Sequence, residues 1–263
     1  MANFLALVCL SAMLGLSTSV EKTTSYFSVP KQPTYVIVLS RQRSSSTTTS
    51  QIIGSHPCAL FGNEIWGRAQ DVLGAHDYAN MSWPEIRDET HRFLTIAREH
   101  ICSKAILDGT IADSCGGQCT IVVKEFDIHS ISEVGMDTLM QDDNIDFVVL
   151  ERDIPGEYCS YAEAAEHDDW GTVPGAHKEG QTHVDCEVIP EDFIHTHEKW
   201  FARVRSALHR NGRSFVDVPF SLIASCRLRE FAQSLFGRMG FPLPVTFPIE
   251  YPSSESFTTC NHQ

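Results

Sequence analysis

Between Ser40 and Thr48 the chain reads Ser-Arg-Gln-Arg-Ser-Ser-Ser-Thr-Thr, two guanidinium groups beside a row of hydroxyls. Cations and hydroxyl donors at this density suit an anion with several oxygens, such as a phosphate or a sulfate. The loop follows Tyr35-Val-Ile-Val-Leu39, a short run with β-branched residues that reads as a buried parallel strand. It precedes Ser46 to Ile53, a predicted short helix stopped by Gly54 and Pro57. A helix starting there turns its unsatisfied N–H groups toward the loop, a second source of anion affinity. An exposed Ser-rich turn that only caps a helix is the plainer reading of the same residues. No GxxxxGK[ST] pattern is present, which argues against an ordinary nucleoside triphosphatase loop.

A second basic residue stands out by its surroundings. Residues 133 to 192 hold 17 acids and two bases, Arg152 and Lys178. An arginine isolated in this way either neutralises a neighbour, here Glu151 or Asp153, or holds an anion. Arg152 follows the strand-like run Phe147 to Leu150, and Ser160 falls two turns into the helix expected next. That places Arg152 and Ser160 at the same sheet edge as the Arg43 loop, as two separated phosphates on one ligand would require. Over the whole chain, 34 acids against 20 bases give a net charge of −14, which argues against a nucleic-acid partner.

The elements that must position these groups alternate between strand and helix. Thr120 to Phe126 and Phe215 to Val218 are further predicted strands. Ser82 and Glu85 form a capping box for a helix with Ile86, Phe93, Leu94, Ala97 and Ile101 at helical spacing. Glu191 to Asn211 is an amphipathic helix ended by Asn211-Gly212, and Leu228 to Met239 a last helix ended by Gly240. The expected fold is α/β, a three-layer sandwich with a mostly parallel central sheet. With 263 residues and 42% apolar composition, the core is large enough for one sizeable domain, expected over 35–252.

The first 20 residues contain an apolar run from Phe4 to Leu16, the length of a signal-peptide core and short for a membrane span. Residues 1–20 are therefore expected to be a cleaved signal peptide or a short anchor, 21–34 a linker and 253–263 a polar tail. Membrane attachment is expected only if that first segment is uncleaved. Secretory entry suits the eight remaining cysteines, with Cys115-Gly-Gly-Gln-Cys119 as the expected local bridge, and the sequon at Asn80. Five of the 12 histidines, His167, His177, His183, His195 and His197, fall near Asp168, Asp169, Asp185 and Cys186. A zinc site is the competing use of that region, against a solvated acidic loop. No HExxH or C-x2-C pair supports zinc, and His195 and His197 would face different sides of a helix.

Arg43-Ser-Ser-Ser-Thr47 resembles the Arg-Ser-Gly-Ser-Thr loop with which sulfotransferases hold the 5′-phosphosulfate of PAPS, 3′-phosphoadenylyl sulfate. Ser55-His-Pro57 and Phe61-Gly-Asn-Glu64 resemble a segment of the carbohydrate-type branch, and Arg152-Asp-Ile-Pro155 with Ser160 is similar to the family's 3′-phosphate motif. One departure is Ser45, where the family usually has glycine, so the backbone must avoid positive φ or accept strain. A C-terminal basic loop of the kind that completes the nucleotide site in cytosolic relatives is not visible. The resemblance implies a P-loop-like sulfotransferase fold and transfer of a sulfuryl group from PAPS to a hydroxyl of a carbohydrate or glycoconjugate. It implies PAPS as co-substrate, with no metal required, and work in the Golgi lumen or after secretion. Arg43, Ser44, Ser45, Ser46, Thr47, Arg152 and Ser160 would bind the nucleotide. Arg43 would also stabilise charge on the leaving group, and Glu64 would be the general base, with His129 as the other choice. Trp170 and Trp66 are aromatic planes suited to a sugar face, or to a core. A non-catalytic PAP- or anion-binding protein of the same fold is the alternative.

Overall fold

A computed structural model describes residues 34–63, 83–126, 133–167, 186–225 and 227–241. The expected signal segment and tail, Glu64, Trp66, His129, Trp170, His177, His183 and the Asn80 sequon lie outside the described residues. Among the described residues five strands form one sheet: β1 (Tyr35–Ser40), β2 (Ala59–Asn63), β3 (Thr120–Phe126), β4 (Ile145–Glu151) and β5 (Phe215–Pro219). Their order is β2-β3-β1-β4-β5, and every neighbouring pair is parallel. Central β1 is buried along its whole length, as its unbroken apolar run requires when helices cover both faces.

The helices are α1 (Ser46–Gly54), α2 (Trp83–Leu107), α3 (Glu133–Met140), α4 (Ile154–His167), α5 (Glu191–Arg210), α6 (Phe220–Ala224) and α7 (Leu228–Arg238). Helix α1 packs against α7, while α3 packs against both α2 and α5. Helix α5 buries His197, Trp200, Phe201, Val204, Ala207 and Leu208, one face at a period of 3.6. Glu191 and Asp192 in its first turn and His209 and Arg210 in its last complement the helix dipole.

The order of strands locates a crevice. From β1 the chain crosses toward β2, and from β4 it crosses toward β5, so the connections leave these two neighbours in opposite directions. Beyond the carboxyl ends of such a strand pair, open α/β sheets have room for a ligand. The loops that occupy this point carry Arg43 and Arg152.

Among the described residues there are three disulfides: Cys58–Cys115 and Cys102–Cys119, next to the starts of β2 and β3, and Cys159–Cys186, from α4 to the segment before α5. The expected Cys115–Cys119 bridge is thus corrected. A 3-10 turn at Asp113–Cys115 turns Cys115 toward Cys58, and positive φ at Gly116 and Gly117 then carries the chain around to Cys119 beside Cys102 of α2. In the loop-entropy treatment each of these closures is worth about 3 to 4 kcal/mol, against about 2 for a four-residue one. Disulfides of this kind fit an extracellular or secretory-pathway protein. No helix among the described residues is long and apolar enough to cross a membrane.

Candidate functional site: an anion cradle at the β1–β4 crevice

The loop after β1 is wound tightly by two residues in the left-handed region, Arg43 at φ 64° and Ser45 at φ 63°. Ser44 Oγ donates to the carbonyl of Arg41 at 2.6 Å, closing the turn from inside. The chain therefore accepts positive φ at Ser45, the position where the resemblance has glycine. No side-chain hydrogen bond from Ser45 caps α1, so the first-turn N–H groups of that helix are not tied up by its N-cap residue. Left-handed backbone costs a non-glycine residue about 1 to 2 kcal/mol, and glycine returns about 0.4 to 1 of this through unfolded-state entropy. Ser45→Gly is accordingly expected to stabilise the protein by about 0.5 to 1 kcal/mol, read as a higher urea midpoint at unchanged slope. A lower midpoint would mean that the serine side chain makes a stabilising contact.

The two arginines of the loop have separate fates. Arg41 is 7% exposed and turns inward, pairing with Glu157 of α4 at 3.0 Å beneath the ring of Phe193. Its charge is matched inside the protein, which corrects the expectation that Arg41 and Arg43 both serve an anion. Arg43 instead reaches across the crevice, where its Nε donates to Ser160 Oγ at 3.1 Å. Arg152 Nη1 donates to the Arg43 carbonyl at 2.9 Å, and its guanidinium lies 4.4 Å from the centre of the Phe220 ring. Three residues from two distant stretches of sequence thus meet at one point.

Arg152 is not consumed by its acidic neighbours. Glu151 is engaged by Arg205 at 2.6 Å, and Asp153 Oδ2 accepts the Gly156 N–H at 2.9 Å, capping α4. Among the described residues, Arg152 Nε is buried with no hydrogen-bond partner. Burial pulls the Arg152 pKa below its ordinary value, with the charges of Asp153 and Glu157 opposing it. A buried guanidinium donor of this kind gains from an incoming anion. Gly156 permits the arrangement, since a Cβ there would come within 3.0 Å of Arg152 Nε.

Lys124 is a cation that reading the sequence alone missed. It sits in β3 paired in register with Val38, is 4% exposed, and donates from Nζ to Thr47 Oγ1 at 2.6 Å. The signal was a lone lysine inside the strand-like run Thr-Ile-Val-Val-Lys-Glu-Phe. Ser46 and Thr48 are buried at the start of α1.

Beside Arg152 an open cleft of about 620 Å³ extends past the ends of β4 and β5, lined by Glu151, Asp153, His197, Arg205, Asp217 and Pro219 among others. His195 is exposed and His197 buried, on different sides of α5 as the spacing requires. Among the described residues no group of three His, Cys, Asp or Glu side chains is placed to hold a metal ion.

These features define an α/β protein with a cationic, hydroxyl-lined loop at a topological switch point. No family model and no curated protein matches the chain. Among solved structures it is similar to the sulfotransferase domain from the Synechococcus PCC 7002 olefin synthase, at 12% identity and a TM-score of 0.40, covering 81% of this chain and 76% of that one. At this level of similarity the residues themselves carry the functional reading.

Proposed function

We propose that the protein is a sulfotransferase that moves the sulfuryl group of PAPS to a hydroxyl of a carbohydrate or glycoconjugate in the secretory pathway. The observation that carries this reading is the meeting of Arg43, Arg152 and Ser160 at the β1–β4 crevice, with Arg43 bonded to Ser160 and Arg152 to the Arg43 carbonyl. One side of this cradle belongs to a helix-opening loop and the other to a turn and helix after β4, which supports a reading in which the loop takes the 5′-phosphate and Arg152 with Ser160 the 3′-phosphate of one nucleotide. The cleft beside Arg152 has the volume of a small-molecule site.

In the proposed reaction the acceptor oxygen bonds to sulfur as the sulfur–oxygen bond to the 5′-phosphate breaks. Glu64 takes the acceptor proton, and negative charge collects on the departing phosphate. Arg43, the hydroxyls of Ser46 and Thr47, and the N-terminus of α1 hold that charge, and fixed donors of this kind need no reorganisation as it develops. The Ser44 hydroxyl is committed to the Arg41 carbonyl and shapes the turn, so Ser44 leaves only its backbone to the nucleotide. Ser45 supplies backbone. Trp66 and Trp170 are proposed to face the sugar. The acidic stretch from 133 to 192 favours a neutral or sparsely charged glycan over a polyanion.

Calorimetric titration with PAP tests the nucleotide half of the proposal, and a screen of acceptors with labelled PAPS tests the transfer. Tight zinc binding without PAP affinity would overturn both. PAP affinity without transfer to any acceptor would leave a binding protein of the same fold.

Lys124 gives an intermediate prediction. It acts on the loop through the Thr47 hydroxyl, so its loss should fall at the lower end of the range for charge-assisted hydrogen bonds. Lys124→Met is expected to weaken PAP binding about tenfold, a shift of about 1.4 kcal/mol. Unchanged affinity in calorimetry would show that Thr47 is not held for the nucleotide by this lysine.

A further inference from the structure

His197 lines the cleft beside Arg152, with carboxylates on both sides of its ring. Nδ1 is 3.4 Å from Glu157 Oε1 and Nε2 is 3.3 Å from Glu151 Oε1. A neutral imidazole has a single N–H, so it would turn a lone pair toward one of these acceptors; the imidazolium donates to both. The residues it joins flank the cradle. Glu151 immediately precedes Arg152, while Glu157 stands on α4 between Arg152 and Ser160 and pairs with Arg41 of the anion loop.

We propose that His197 is a positioning residue of the anion cradle: as an imidazolium bridging Glu151 and Glu157 it holds the Arg152 turn against the Arg43 loop, and its deprotonation weakens anion binding. This rests on the reading of the crevice as an anion site. The charged groups facing the ring are Glu157 from α4, Glu151 from β4 and Arg41 from the loop after β1. Arg205 and Glu198 are on its own helix, and Arg152, Asp153 and Asp217 are around the cleft. Arg41, Glu157, His197, Glu151, Arg205 and Asp217 form a chain of alternating sign, neutral with the imidazolium and negative without it. Burial works against the charged ring and Arg41 also opposes it, but the hydrogen bond and charge of Glu157 and the hydrogen bond of Glu151 prevail and raise its pKa above the ordinary value. The group is raised in the folded state, so its contribution is complete at acid pH and is lost as pH rises through the folded value.

The test is a titration of the full chain with inorganic sulfate at constant ionic strength, from about pH 5.5 to about pH 8, an interval that spans ordinary histidine titration. Sulfate keeps its charge over this range. Chemical shifts of the loop amides from Arg43 to Thr47 report binding. The dissociation constant is expected to rise about three- to tenfold in the wild type, the effect of one unit charge removed nearby, and to stay flat in His197→Gln. Equal pH dependence in both proteins would overturn the proposal, as would a His197 ring that carries one proton at the acid end by nitrogen NMR. If His197→Gln does not fold, the wild type alone decides: the sulfate profile and the ring titration must share a midpoint, and separate midpoints would overturn it. PAP is titrated in parallel. Sulfate binding without PAP binding overturns the nucleotide reading alone and leaves His197 judged on sulfate, while absence of both overturns the two together.

Discussion

Arg152→Ala is expected to lower affinity for PAP by about tenfold to a hundredfold, the loss of a charge-assisted hydrogen bond to a doubly ionised phosphate. The informative quantity is a ratio. Arg152 also donates to the Arg43 carbonyl and lies against Phe220, so its removal loosens the loop after β1 as well. Loosening weakens every nucleotide that uses that loop, with or without a 3′-phosphate. Direct recognition of the 3′-phosphate, in contrast, is lost only for PAP. Calorimetry with PAP and with AMP on both proteins separates the two effects, and the PAP-to-AMP preference of the wild type should collapse in the variant. A preserved preference would mean that Arg152 braces the loop without reading the phosphate, and the two-anchor argument for PAPS would lose one anchor.

The fold was legible in the sequence wherever one period dominated a long segment. The run Tyr35 to Leu39 announced a central parallel strand, and Ile194, Phe201, Val204 and Leu208 at helical spacing announced α5, because burial on two sides or on one leaves a distinct pattern. Strand β2 was not legible. It is a five-residue edge strand with Gly62 inside it and an irregular register after Phe61, so neither alternation nor an apolar run marks it. The short helix α6 was missed for a similar reason, since five residues after Pro219 carry no helical period.

The site was legible in part. Arg43 and Arg152 could be read because each is a cation in a local composition that makes it unusual. Lys124, which holds Thr47, could not, because a lysine in a strand is ambiguous until the register places it beside the loop. The roles of Arg41 and Glu157 depend on a contact between residues 116 positions apart, and no local pattern encodes which of two nearby arginines turns inward. Cysteine pairing had the same character. Proximity in sequence suggested Cys115 with Cys119, whereas the turn at Gly116 and Gly117 sends them to different partners.

Glu64→Gln is the substitution expected to leave nucleotide binding intact while abolishing most of the turnover. Glutamine keeps the size and hydrogen-bonding shape of glutamate but cannot accept the acceptor's proton at neutral pH. The proposed base acts on the acceptor and touches no phosphate, so PAP affinity should stay within about twofold while turnover falls by about 10² to 10⁴. This pattern is the reverse of that expected for Arg152→Ala, where binding falls through the nucleotide. Glu64 follows Asn63, the last residue of β2, in the chain, and β2 runs parallel to β3 with its carboxyl end at the edge where the anion loop lies. His129 follows the end of β3 at Phe126 by three residues and is the next choice. The two are told apart by making both variants: a Glu64→Gln enzyme with near-normal turnover moves the role to His129 if His129→Gln is inactive. If both retain turnover, neither side chain takes the proton, and the catalytic half of the proposal would have to be rebuilt on another base.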